Sequence, residues 1–257
     1  EFKLVGITGT NGKTTTTFLI KQILEKAGQK VGLIGTNQIM IGDEIYPASR
    51  TTPDSFELQG LFRKMADSGV DTVVMEVSSH ALYLDRVYGS VFDVGVFTNL
   101  TQDHLDFHKT MDEYAKAKAI LFSMARSAAV NADDEYKDLM LKECKGKVLT
   151  YSIDSPSLVK AENIKMSERG VIFSIDKNGE TREMRLGIPG RFSVYNALAA
   201  ICACENIGVS DEDISKGLVL AKPIKGRIEV VHINSPYTVI IDYAHTPDAL
   251  ENILKSV

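Results

Sequence analysis

The segment that most narrows the possible folds runs from Phe2 to Gly28. Phe2-Lys3-Leu4-Val5-Gly6-Ile7 is short, mostly apolar and β-branched, as expected of a strand buried on both faces of a parallel sheet. Its end overlaps "GITGTNGKTTTT" (Gly6 to Thr17). Phe18, Leu19, Ile23 and Leu24 then recur at helical spacing until Gly28 supplies a stop. In the order strand, glycine loop, helix, the loop and first-turn amides point at an anion. Lys13 adds a charge for β- and γ-phosphates, and the Thr14 hydroxyl can reach Mg2+. Gly9 and Gly12 provide permissive backbone, and Asn11 tolerates a left-handed turn. The spelling departs from G-x-x-x-x-G-K-[ST], because Ile7 stands where the first glycine would fall. The competing reading is an ordinary strand-to-helix turn; the flanking strand and helix favour phosphate binding.

The rest of the chain alternates in the same way. Strands are expected at Val31 to Ile34, Thr72 to Val77, Val94 to Asn99 and Ala128 to Asn131, and helices at Asp54 to Ser68 and Met111 to Arg126. This predicts an α/β fold, a mostly parallel sheet flanked by helices. From about Lys147 to Gly187 the pattern changes. "ENIKMSERGVIFSIDKNGETREMRL" alternates apolar and polar residues around turns such as Asn178-Gly179, so a small antiparallel subsheet is expected over about 147–190. Helices resume at Ser193 to Asn206 and Asp211 to Leu220. Two strands, Ile228 to Ile233 and Val239 to Asp242, and a helix from about Pro247 complete the pattern, which reads as one domain over 1–257.

Composition narrows the function classes. A net charge of −5 gives no basic surface for nucleic acid, and no apolar run reaches the roughly 18 residues a membrane span needs. Cys144, Cys202 and Cys204 form an odd set without a C-x-x-C pair, which argues for reduced thiols and a cytoplasmic setting; Cys202 and Cys204 lie in an apolar helix and are expected in the core. The chain opens almost on a core strand and stops soon after a motif, so a fragment of a longer protein is expected.

Several residues carry possible chemistry. "TVVMEVSSH" ends an apolar strand on Glu76, and a carboxylate at a strand's carboxyl end beside a phosphate loop suits Mg2+. "NLTQDHLDFH" holds Asp103, His104, Asp106 and His108. A zinc reading would need the two histidines on one helix and a third ligand; a magnesium–phosphate role for His104 is preferred. Thr110-Met111-Asp112-Glu113 is a capping box that starts a helix at Met111. On that helix Met111, Tyr114, Leu121, Phe122 and Ala125 share a face with Lys118 at its centre, while Lys116 points away. A buried lysine is costly unless paired or neutralised, so a functional or modified Lys118 is expected, against the alternative of snorkelling to solvent. "GRFSVYNALAA" places Asn196 early in a helix. "KGRIE" and "IDYAHTPDALE" place Arg227 and Asp242 at strand ends, where they can contact phosphate and ribose.

Together the chain resembles the Mur ligase family of ATP-dependent amide-forming enzymes of peptidoglycan synthesis. The resemblance rests on GTNGKT, Arg50-Thr51-Thr52-Pro53-Asp54, "EVSSHAL" with Arg86 following, "NLTQDHLDFHKTMDEYAKAK" and "DYAHTPDALE". It implies that ATP sits on Gly9, Thr10, Asn11, Gly12, Lys13, Thr14 and Thr15, with Asn196, Arg227 and Asp242. It implies one Mg2+ on Thr14 and Glu76, and a second on His104 and a carbamylated Lys118. Lys13, Glu76, His104 and Lys118 would carry the catalysis, and Thr51, Thr52, Ser78 and Arg86 would face a UDP-MurNAc-dipeptide. The implied reaction joins a diamino acid, meso-diaminopimelate or L-lysine, to UDP-MurNAc-L-Ala-D-Glu through an acyl phosphate. The resemblance covers the family's central ATPase domain, without the uridine-nucleotide and ligase domains, and implies a monomer. Ser193 departs from the family's frequent asparagine. Folylpolyglutamate and cyanophycin synthetases share the superfamily, but TTPD and EVSSHAL count against them. A GTPase-like switch would need an N-K-x-D string, which is missing; ATP binding without catalysis by this chain on its own is the third alternative.

Overall fold

The computed structural model describes residues 1–177, 179–222, 224–231, 237 and 239–254. The chain opens with β1 (Lys3–Thr8), α1 (Lys13–Lys26) and β2 (Val31–Ile34), then a hairpin of β3 (Ile39–Ile41) and β4 (Glu44–Tyr46). Next come α2 (Ser55–Asp67), β5 (Thr72–Glu76), α3 (Ser79–Tyr83), β6 (Val94–Phe97) and the single turn α4 (Leu105–His108). They are followed by α5 (Met111–Ser123), β7 (Ser127–Asn131), α6 (Lys137–Glu143) and β8 (Lys147–Ser152). The antiparallel strands β9 (Val159–Ser167), β10 (Gly170–Lys177) and β11 (Glu180–Leu186) precede α7 (Arg191–Asn206) and α8 (Asp211–Val219). A separate pair, β12 (Glu229–Val231) and β13 (Val239–Ile241), and α9 (Pro247–Leu254) close the described chain.

Eleven strands form one sheet in the order β11-β10-β9-β8-β7-β6-β1-β5-β2-β3-β4. The expected antiparallel subsheet is therefore continuous with the main sheet. β8 pairs parallel to β7 and β9 parallel to β8, while the β9–β10 and β10–β11 pairs at one edge and the β2–β3 and β3–β4 pairs at the other run antiparallel. The β3–β4 hairpin has strands of three residues, too short to leave a periodic signal in the sequence. The helix expected to reach Arg126 stops at Ser123, and α7 begins two residues earlier than expected, at Arg191. Of the expected Ile228–Ile233 strand, Glu229–Val231 is observed and 232–236 lie outside the described residues, as does Asn178 of the expected turn.

Side-chain alternation along the strands divides the core in two. Val5, Ile7, Val74, Val94, Val96 and Ala129 face α1, α7 and α8, while Leu4, Val73, Met75, Phe97, Ala128 and Val130 face α2, α5 and α6. Both faces are covered, so the central strands carry apolar residues at most positions. On α1, Leu19, Ile20, Ile23 and Leu24 are fully buried, each contributing about 1.5–3 kcal/mol. Gly28 closes α1 at φ 83°, with its N–H donating to Glu25 O. Cys202 and Cys204 are buried in α7, and none of the three cysteines forms a disulfide. Among the described residues no helix is long and apolar enough to cross a membrane.

Tyr151 on β8 donates its hydroxyl to Phe97 O at 2.8 Å, tying β8 to β6 behind the site. Tyr151→Phe should lower unfolding free energy by about 1 kcal/mol, read as a shift in the urea midpoint without a change in slope.

Candidate active site

The sheet's strand order turns at β1, with β5 and β2 on one side and β6, β7 and β8 on the other. A ligand cleft is expected at the carboxyl ends of strands around such a switch point, and the glycine loop lies there. A cleft of about 490 Å³ opens over it, lined by Thr10 through Thr15, Glu76, His104, Asn196, Arg227 and Asp242. Most of the nucleotide and metal residues expected from sequence therefore meet in one place.

Backbone geometry sets the loop. Gly9 and Gly12 take φ of 145° and 85°; a Cβ on Gly9 would lie 1.9 Å from Thr98 Oγ1 and one on Gly12 2.4 Å from Asn196 Oδ1. Asn11 tolerates a left-handed turn but does not adopt one here. Its N–H instead donates to Asn99 Oδ1 at 2.9 Å, and Asn99 Nδ2 donates back to Asn11 O at 3.1 Å. Thr98 Oγ1 donates to Asn11 O, and Thr10 N to Asn99 O. Asn99 is a cleft residue that sequence reasoning did not single out, although it opens the NLTQDH string.

Lys13 starts α1, and its Nζ folds back to donate to Gly9 O at 2.9 Å and Thr10 O at 2.8 Å. Burial lowers its pKa, with Glu76 opposing that shift. Glu76 is buried at the end of β5, so it is not a solvated strand-end carboxylate. Its Oε1 accepts from Thr14 Oγ1 at 3.0 Å and from Thr36 N at 2.9 Å, and its Oε2 accepts from Thr36 Oγ1 at 2.9 Å. Arg227 Nη2 donates to Thr14 Oγ1 at 3.1 Å. Asn196 is buried against Gly12, and its Oδ1 accepts from Thr16 Oγ1 at 3.4 Å. Asp242 uses both oxygens on the backbone, accepting from Ile228 N and Ala244 N. Ser193 is buried and donates to Pro189 O at 2.6 Å, so its hydroxyl serves the start of α7.

The donor set fits a hard divalent cation. Mg2+ typically takes one or two carboxylates and fills the rest of its octahedron with water and phosphate, which Glu76 with the Thr14 hydroxyl can satisfy. Among the described residues no group of three or more His, Cys, Asp or Glu forms a metal cluster, so the phosphates would have to complete the shell.

Lys118 is fully buried, whereas Lys116 is exposed. The capping box holds as expected, with Thr110 Oγ1 accepting from Glu113 N. Lys118 Nζ donates to Gly9 O at 2.9 Å beneath the loop and lies 4.4 Å from the Tyr114 ring centroid. Burial, then the charge of Lys13, drives its pKa well below the usual lysine value. As a free amine it offers the cleft no oxygen ligand. His104 sits half-exposed beside Asp103, with Nε2 3.4 Å from Oδ2. His108 is buried and its Nε2 pairs with Ser79 Oγ at 2.9 Å, so the two histidines do not act as a ligand pair. Of the expected substrate residues, Thr51 reaches the cleft. Thr52 is buried and donates to Glu76 O, Ser78 caps α3, and Arg86 donates to Thr52 O at 3.2 Å. These three form the wall behind Thr51.

Comparison with known proteins agrees with this geometry. The profile of the Mur ligase middle domain matches residues 7–204. The chain belongs to the Mur ligase family. It is 52% identical over its whole length to a UDP-N-acetylmuramoyl-L-alanyl-D-glutamate--2,6-diaminopimelate ligase of Clostridium tetani (strain Massachusetts / E88), of which it covers 53%. It is 51% identical to the ligase of the same name from Caldanaerobacter subterraneus subsp. tengcongensis, again covering 53%. The chain thus spans about half the length of these curated relatives. A solved structure of a ligase of this name superposes with a TM-score of 0.88 at 31% identity, over 99% of this chain and 53% of that one. A Mycobacterium tuberculosis folylpolyglutamate synthase shares the fold, with a TM-score of 0.79 at 18% identity, over 100% of this chain and 66% of that one.

His108 gives this Mur ligase domain a pH signature. Burial, then the neighbouring His80 and Lys118, pushes its pKa from 6.5 down to about 4. Between those values the unfolded chain binds a proton that the folded chain refuses, so stability is full above about pH 6.5 and falls toward pH 4. Chemical denaturation across that window should show a shallower loss in His108→Asn than in the unsubstituted protein.

Proposed function

We propose that this chain is the ATP- and Mg2+-binding part of a ligase that adds a diamino acid to UDP-MurNAc-L-Ala-D-Glu. The observation that carries the reading is the cluster of Lys13, Thr14, Glu76 and Arg227 around one glycine loop. The names of the relatives, of which this chain covers about half, favour 2,6-diaminopimelate over lysine as the added amino acid.

Phosphoryl transfer between two anions is limited by charge, so positioning and electrostatics do most of the catalysis. The loop amides and Asn196 hold the nucleotide. Lys13 swings from the Gly9 and Thr10 carbonyls to the β- and γ-phosphates, and Arg227 stands over Thr14 to meet charge that develops there. Thr14 and Glu76 would hold Mg2+, which neutralises the phosphates. The acceptor carboxylate, presented along Thr51, attacks the γ-phosphorus and ADP leaves; the acyl phosphate is then attacked by the amine, with release of phosphate. Asp242 orders the loop that carries the ribose side.

Lys118 fits a modified role in this scheme. Its lowered pKa favours the neutral amine, the form that adds to carbon dioxide to give a carbamate and a proton. A carbamate would give this buried position oxygen ligands suited to a second Mg2+ beside His104. A cytoplasmic monomer without nucleic-acid or membrane partners is the accompanying reading, supported by the net charge of −5.

Two measurements test this. Lys13→Ala should weaken ATP binding by roughly 10- to 100-fold, the equivalent of one charge-assisted contact; unchanged binding by calorimetry would refute the site. In the full-length protein Lys118→Ala should lower turnover by about 100-fold or more, with partial rescue by short-chain carboxylates, while Lys116→Ala should be nearly silent. Equal behaviour of the two variants would remove any special role for Lys118.

A further inference from the structure

We infer that Thr36, in the turn that follows β2, is a positioning residue that ties the acceptor-side Thr51 to the metal-binding carboxylate of Glu76. The inference rests on the Mg2+–ATP reading of the cleft.

The turn is built for close approach. Gly35 N donates to Gln38 O at 3.2 Å, and a Cβ on Gly35 would sit 2.5 Å from Glu76 Oε1, so a larger residue would push the turn off the carboxylate. Among the described residues, Thr36 supplies two of the three hydrogen bonds to the Glu76 carboxylate: its N–H to Oε1 and its hydroxyl to Oε2, each at 2.9 Å. The third comes from Thr14, itself a proposed ligand that must reorient when metal binds. Thr36 is therefore the one of the two partners that keeps its grip while the site fills.

Proton counting gives the direction of the remaining contact. Thr36 Oγ1 and Thr51 Oγ1 are 3.0 Å apart, and the single Thr36 hydroxyl proton already goes to a carboxylate oxygen, which can only accept. Thr51 must then donate to Thr36. The result is a one-way chain, Thr51 O–H to Thr36 O–H to Glu76, in which each bond polarises the next. The adjacent Asn37 Nδ2 donates to Lys225 O at 3.1 Å, two residues before Arg227. One four-residue turn thus touches the acceptor loop, the metal carboxylate and the arginine segment. Groups that hold a metal-binding carboxylate in place are worth a large share of metal affinity.

The test is nucleotide binding by the full-length protein, with a non-hydrolysable ATP analogue measured with and without Mg2+. Thr36→Val keeps shape and backbone N–H but removes the hydroxyl. It should weaken Mg2+-dependent binding by about 10-fold, leave metal-free binding unchanged, and be rescued by Thr36→Ser. Thr51→Val should weaken it less, and the double variant should match Thr36→Val alone, because Thr51 acts through Thr36. An equal loss with and without Mg2+, failure of the Ser rescue, or additive effects would overturn the inference. Unchanged binding in Thr36→Val beside a competent unsubstituted protein overturns this inference alone. Failure of the unsubstituted protein to bind the Mg2+ nucleotide overturns the underlying reading and this inference with it.

Discussion

The parallel pairing of β1 between β5 and β6 is the constraint on which the site depends. Ile7 lies opposite Glu76 and Thr8 opposite Phe97. A shift of one residue would turn the apolar side chains of β1 to the opposite faces and carry Glu76 away from Thr14. The register is locked where the strands end: Val77 N donates to Ile7 O at 2.7 Å, and Thr98 N to Thr8 O at 3.0 Å. The glycine loop leaves β1 at that point, and its carbonyls and amides are taken up by Thr98 and Asn99 from the next strand. The loop is consequently shaped before any nucleotide arrives, which removes ordering cost from binding.

Electrostatics follows from this frame. Two lysines, Lys13 and Lys118, donate to the same carbonyl, Gly9 O. Each is held by backbone dipoles in place of a carboxylate partner, and burial lowers the pKa of both. Glu76 is the buried anion nearby, satisfied by neutral donors from Thr14 and Thr36. Such an arrangement is costly without a ligand, since buried charges are expensive when incompletely paired. A triphosphate with its metal would supply the missing counter-charges. The core on either side of the sheet carries that cost, with apolar residues at nearly every position of the central strands.

Much of the site could be read from the residues themselves. GTNGKT between a strand and a helix is a local signal, because strand, turn and helix preferences all lie within one short window. Lys118 was legible for a similar reason, since helical periodicity puts it on the apolar face and Lys116 off it. Glu76 was legible as the residue that ends an apolar run. Thr36 and Asn99 were not: each is a small polar residue after a strand, a common pattern, and their roles depend on which strand lies next to which. The histidines were ambiguous for the same reason, until Ser79 claimed His108 and left His104 facing the cleft.

The sequence by itself determined the α/β class, the alternation that buries both sheet faces, the glycine loop between strand and helix and the placement of Lys118, all through local periodicity and steric preference. Tertiary structure decided the rest. It made the antiparallel strands an extension of the main sheet through the β8–β9 pairing, and it assigned the Ser193 hydroxyl to Pro189 O. It also joined Thr51, Thr36 and Glu76 into one hydrogen-bonded chain across 40 residues of sequence separation between Thr36 and Glu76. Hydrogen bonds between strand ends depend on register and strand order, and those are properties of the packed sheet that no single segment encodes.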